Sequence, residues 1–137
     1  HDHPELKEVF DGKEEPLVIL GFSNYAAVSN LLLYLLQRKK QTQSSNPTVI
    51  GYGFGSPRVG DLLFTRQFDD SMYFNTVNEA DIIPNVPLAV MPNPQKPADP
   101  YLYEHVGQMR SFQKNLGTWS FNHALSVYRE DLETLVT

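Results

Sequence analysis

A chain of 137 residues is one domain's worth of core, and its net charge of −5, with no long Lys/Arg stripe, argues against a protein that tracks nucleic-acid phosphates. The absence of cysteine excludes disulfide frameworks, thiolate metal sites and cysteine nucleophiles. No apolar run approaches the ~20 residues of a membrane span, and no signal peptide is visible; the chain opens on His1 rather than Met, which reads as a processed, trimmed or partial product.

In chain order, Glu5 to Phe10 is a short helix candidate with Pro4 at its start and Gly12 as its stop. His1, Asp2 and His3 contain metal-ligating types but read as a frayed terminus. Leu17 to Leu20 is a short apolar run, the first strand, and a helix from about Asn24 to Lys40 follows. The basic group Arg38-Lys39-Lys40 closes that helix, where positive charge complements the dipole. Gln41 to Pro47 is a polar loop. Thr48 to Phe54 is a second strand, Val59 to Phe68 a helix with Asp61 in its first turn, and Met72 to Val77 a third strand. Ile82 to Pro100 carries six of the ten prolines and reads as a long loop. Val106 to Phe112 is a fourth strand, and a final helix runs from about His123 to Leu135, with Leu125, Tyr128, Leu132 and Leu135 on one face. The alternation β-α-β-α-β-loop-β-α predicts an α/β fold, a mostly parallel sheet with covering helices that binds its ligand at the carboxyl ends of the strands.

Ser23 stands at the first such end, one residue after Gly21-Phe22 and directly before a helix. A sharp strand-to-helix turn can expose a serine hydroxyl above helix N–H donors, which suits a nucleophile. By itself Ser23 reads equally as a helix N-cap. A nucleophilic serine needs a base and an orienting carboxylate. Asp81 follows the third strand and His123 follows the fourth, so the order is Ser…Asp…His, with both partners in loops at strand ends.

Several blocks of this chain resemble the class 3 (fungal-type) lipases of the α/β-hydrolase fold. They are Phe54-Gly55-Ser56-Pro57-Arg58-Val59-Gly60-Asp61, Asn78-Glu79-Ala80-Asp81-Ile82-Ile83-Pro84-Asn85-Val86-Pro87, and Tyr103-Glu104-His105-Val106-Gly107, together with the strand–elbow–helix of Val18 to Ser29. The resemblance implies carboxylic-ester hydrolysis with acylglycerols as typical substrates, contact with a lipid interface, and no metal or organic cofactor. It implies Ser23 as nucleophile, Asp81 as acid, His123 as base and the Asn24 backbone N–H as an oxyanion donor. Phe22, Tyr25, Val86 and Phe121 are candidates for the substrate pocket, with Tyr101, Tyr103 and Trp119 flanking it. His105, Arg58 and Asp61 read as structural. The resemblance covers the family's C-terminal half from the nucleophile strand onward. The 137 residues are therefore expected to form one lipase-like domain or the C-terminal part of one, completed by an upstream segment or a second chain. The elbow Gly-Phe-Ser-Asn-Tyr carries Tyr25 where the family has glycine. A tyrosine that widened the turn or displaced Ser23 would leave a lipase-like interaction or regulatory module instead of an enzyme.

Overall fold

The computed structural model describes residues 15–42 and 48–136. The Glu5–Phe10 helix, the His1–His3 group and residues 43–47 of the polar loop lie outside the described residues. The described elements are β1 (Leu17–Phe22), α1 (Asn24–Thr42), β2 (Val49–Phe54), β3 (Gly60–Asp61), α2 (Leu62–Thr65), β4 (Tyr73–Asn78), β5 (Val90–Met91), β6 (Tyr101–Glu104), β7 (Gln108–Phe112), α3 (Trp119–Asn122) and α4 (Leu125–Val136). Four strands form one parallel sheet in the order β1-β2-β4-β7, as the alternating pattern predicts. A small antiparallel sheet, β3-β6-β5, sits apart from it.

Side chains alternate across the main sheet. One face holds Gly21, Gly51, Gly53 and Tyr73, and α1 lies against it through Ala26, Ser29, Asn30 and Leu33. The small residues make room for the Tyr73 ring: a Cβ on Gly53 would stand 1.9 Å from the Tyr73 hydroxyl. Leu33, Phe68, Tyr73 and Val106 form the buried core here. On the opposite face, Leu20, Tyr52 and Phe74 are in register across β1, β2 and β4. α4 covers the β4–β7 side of that face, with Tyr128 edge-on to Phe22 and Phe112 and Asp131 paired to Arg110 at 2.5 Å. The β1 side is open, and Val18 and Leu20 are 52% and 68% exposed. Among the described strands, β1 pairs with β2 alone, and none pairs with its other edge.

The expected helix over Val59–Phe68 is a two-residue strand followed by a four-residue helix. The Asp61 carboxylate accepts the Leu63 and Phe64 N–H groups, which makes it the N-cap, while Gly60 and Asp61 pair with β6. The proline-rich stretch is not one loop: it holds a 3₁₀ turn at Ile83–Asn85 and the strand β5, which pairs with β6. The fourth strand starts at Gln108, because Gly107 turns through φ 83° and donates its N–H to the Asp70 carboxylate. His123 is not the first residue of the final helix; it ends α3, and α4 begins two residues later. Of the proposed apolar face of that helix, Tyr128 is buried, and Leu125 and Leu135 are exposed.

Candidate active site

Ser23 occupies the hinge between β1 and α1. Its N–H continues the sheet ladder by donating to the Phe54 carbonyl at 2.9 Å, and its carbonyl accepts the Ala26 N–H at 3.0 Å. A residue that must serve strand and helix at once is forced out of both conformations. Ser23 has φ 59°, the one positive φ at a non-glycine position among the described residues. Such a conformation costs on the order of 1–3 kcal/mol and persists where the surroundings over-determine it.

Asp81 follows β4 by a tight turn in which its own N–H donates to the Asn78 carbonyl at 2.9 Å. Its side chain is fully buried. Three donors satisfy it: the Ile83 N–H on Oδ1 at 2.9 Å, and the Tyr128 hydroxyl at 2.6 Å and His123 Nδ1 at 2.5 Å on Oδ2. Burial of a carboxylate without such partners would cost several kcal/mol. With its Nδ1 proton donated to Asp81, His123 leaves Nε2 as an acceptor, and the Ser23 hydroxyl stands 2.7 Å from it. Burial and then the bond to Asp81 push the Tyr128 phenol well above its ordinary value, so it remains a donor.

Two buried asparagines tie the acid loop to the base loop. Asn78 donates to the carbonyls of Lys114 and Asn122 and accepts the N–H groups of Lys114 and Ala80. Asn122, next to His123, donates to the Ala80 carbonyl at 2.9 Å and accepts the Leu116 N–H at 2.7 Å. Tyr128 adds a third tie, since its oxygen also accepts the Asn78 N–H at 3.2 Å. The sequence reading missed all three. Their one local signal is position, three residues before Asp81, one before His123 and five after it.

The rest of the acid loop is braced from outside. Arg58 donates to the carbonyls of Asn85 and Pro87 at 2.7 and 2.8 Å. His105 Nε2 donates to the Pro84 carbonyl at 2.8 Å, and its Nδ1 accepts from Asn75 at 3.3 Å. Burial lowers the His105 pKa from its ordinary 6.5, with the Arg58 charge acting in the same direction. Arg58, Asp61 and His105 thus hold structure, as expected from sequence.

Of the pocket candidates, Phe22 is stacked on the His123 ring at a centroid distance of 4.9 Å. Tyr25, 79% exposed, points its side chain to solvent, and Val86, Trp119 and Phe121 are also exposed. Tyr101 lines a different cleft of about 280 Å³ beside Asp61, Asn93 and Asp99. Among the described residues, no three His, Cys, Asp or Glu side chains converge as metal ligands.

A family model for class 3 lipases matches residues 2–91, which is more than half of the 137 residues and includes Ser23 and Asp81. No curated protein matches the chain. His123 lies beyond the matched segment, and the fold alone brings it to Ser23. The parallel sheet with covering helices is the α/β-hydrolase arrangement of that family, whose chemistry is ester hydrolysis, and the chain belongs to the class 3 lipases.

Proposed function

We propose that this protein cleaves carboxylic esters through an acyl-enzyme on Ser23, with His123 as base and then acid and Asp81 as the orienting carboxylate. The observation that carries the reading is the continuous chain of short contacts from Ser23 Oγ to His123 Nε2 at 2.7 Å and from His123 Nδ1 to Asp81 at 2.5 Å. His123 Nε2 takes the hydroxyl proton as Oγ bonds to the ester carbonyl carbon. The proton then passes to the leaving alcohol as the C–O bond breaks, and water repeats the sequence to release the acid. Asn24 is the first residue of α1, so its N–H has no intrahelical acceptor and serves as an oxyanion donor beside Ser23.

Acylglycerols are the substrate class we assign. The exposed Tyr25, Val86, Trp119 and Phe121 supply apolar contact for an acyl chain or a lipid surface. We propose also that further polypeptide, from the same chain or a second one, completes the domain at β1. An edge of β1 that no described strand pairs, beside exposed Val18 and Leu20, supports this, since both favour pairing and cover.

A fluorophosphonate probe tests the nucleophile. Wild type is expected to be labelled at Ser23, and Ser23→Ala to lose both labelling and hydrolysis, the latter by roughly 10⁴-fold or more. A folded protein that hydrolyses esters equally well without the Ser23 hydroxyl would overturn the assignment.

A further inference from the structure

Phe22 is the last residue of β1, and its ring lies over the imidazole of His123 with centroids 4.9 Å apart and planes 22° from parallel. The imidazole's two nitrogens are already engaged in its own plane by Asp81 and Ser23. Tyr128 meets Phe22 edge-on at 5.7 Å, which fixes the tilt of the phenyl ring, and the same tyrosine holds Asp81. The geometry gives the base two kinds of electrostatic partner, a carboxylate along the ring plane and a π face above it.

We propose that Phe22 assists the ester hydrolysis described above by acting through His123, stabilising its imidazolium form with its π face. The inference rests on the Ser23–His123–Asp81 reading. In the acylation step the Oγ–H bond of Ser23 breaks, an Nε2–H bond forms, and the Oγ–carbon bond forms as the carbonyl electron pair moves to oxygen. His123 changes from a neutral ring to a cation. A neutral imidazole gains little from the quadrupole of a stacked phenyl ring, whereas a cation within ~6 Å of the ring face is attracted to it. The attraction therefore grows as charge develops and favours the transition state over the ground state. The same cation forms again when His123 deprotonates water in deacylation, so both half-reactions benefit. Phe22 reaches this place through the chain itself: as the residue before a serine at positive φ, it sits on the sheet face that α4 covers, alongside the base.

Phenylalanines carrying one, two and three ring fluorines, incorporated at position 22 of the full chain, test this. They keep the ring's shape and progressively weaken its π face. Hydrolysis of a p-nitrophenyl ester is expected to show kcat falling at each step, to about three- to tenfold below wild type at three fluorines, with KM unchanged. Phe22→Trp is expected to hold kcat at or above that of the monofluorinated protein. A kcat indifferent to fluorination, in protein whose hydrolysis is still abolished by Ser23→Ala, overturns the role of Phe22 alone. Hydrolysis that survives Ser23→Ala overturns the Ser23 reading and this inference with it.

Discussion

Gly21 and Ala26 meet backbone to backbone: a Cβ on Gly21 would stand 2.5 Å from the Ala26 Cα, 2.6 Å from the Tyr25 carbonyl oxygen and 2.3 Å from Ser29 Oγ. The position that must lack a side chain for this close approach is therefore Gly21, before the serine, which packs on the backbone of Tyr25 and Ala26. The Tyr25 side chain leaves the turn for solvent, and Ser23 keeps its distance to His123. Gly21→Ala is expected to lower stability by about 1–3 kcal/mol and to cut acylation of Ser23, because backbone atoms cannot yield as a flexible side chain would. Tyr25→Gly is expected to cost less, about 0.5–1 kcal/mol of helix propensity, with no gain in acylation rate. Urea unfolding and phosphonate labelling rates, measured on both variants, check the contrast. A rate increase in Tyr25→Gly would show that the tyrosine strains the turn.

Tyr128 links the acid to its own strand, donating to Asp81 and accepting from Asn78. Tyr128→Phe keeps the ring contacts with Phe22 and Phe112 but leaves the Asn78 N–H buried without an acceptor. Stability is expected to drop by about 1–3 kcal/mol. Asp81 also loses one of the two donors on Oδ2, so kcat is expected to fall by about tenfold with little change in KM, an amount equal to ~1.4 kcal/mol of barrier. Steady-state kinetics at a temperature where the variant is fully folded separates the two effects. A normal kcat in folded Tyr128→Phe would confine the residue to packing.

His105 sets a pH dependence of stability. Burial lowers its native pKa below the 6.5 of an unperturbed histidine. As pH falls through 6.5, the unfolded chain takes up a proton that the native chain does not, so stability is lost with falling pH until the native His105 itself protonates. Above 6.5 both states are neutral at this position and the dependence vanishes. The urea midpoint of wild type is expected to fall more between pH 7 and pH 5 than that of His105→Gln, which can still donate to the Pro84 carbonyl. The difference between the two curves removes every contribution common to both proteins. Parallel curves would refute the assignment.

The convergence of Ser23, Asp81 and His123 was legible because the first two sit in short linear signals just after predicted strands and His123 follows the fourth strand in the order Ser…Asp…His, and strand ends on one side of a parallel sheet converge. Asn78, Asn122 and Tyr128 were not. The hydrogen bonds by which they tie the two loops span 36 to 50 residues of sequence, and an asparagine or tyrosine at a loop edge has ordinary surface explanations. The Val59–Phe68 stretch misled for a local reason: its apolar residues have helical spacing, but the Asp61 side chain satisfies N–H groups two and three residues on, which starts the helix late. β5 and β6 lack any periodic signal, since one of them is only two residues long, prolines flank it on both sides, and Pro97 and Pro100 lead into the other. Phe22 was read as a pocket wall; its place over His123 depends on which face of β1 the final helix covers, and no residue near Phe22 encodes that.

The contact between Ser23 and His123 closes 100 residues of chain. The serine arrives at the end of the first described strand and the imidazole on the turn before the last helix, with the other three strands of the main sheet laid down between them. Loop-closure entropy must be met by the ordering of that intervening sheet before the two atoms can stay within hydrogen-bond reach. Reactivity of a single hydroxyl is thus a chemical timer for assembly. During refolding, phosphonate labelling of Ser23 will lag behind the burial of Tyr73, which packs on glycines of β2, on Leu33 of α1 and on Phe68 and Val106, and it will mark the moment at which Ser23 and His123 come together.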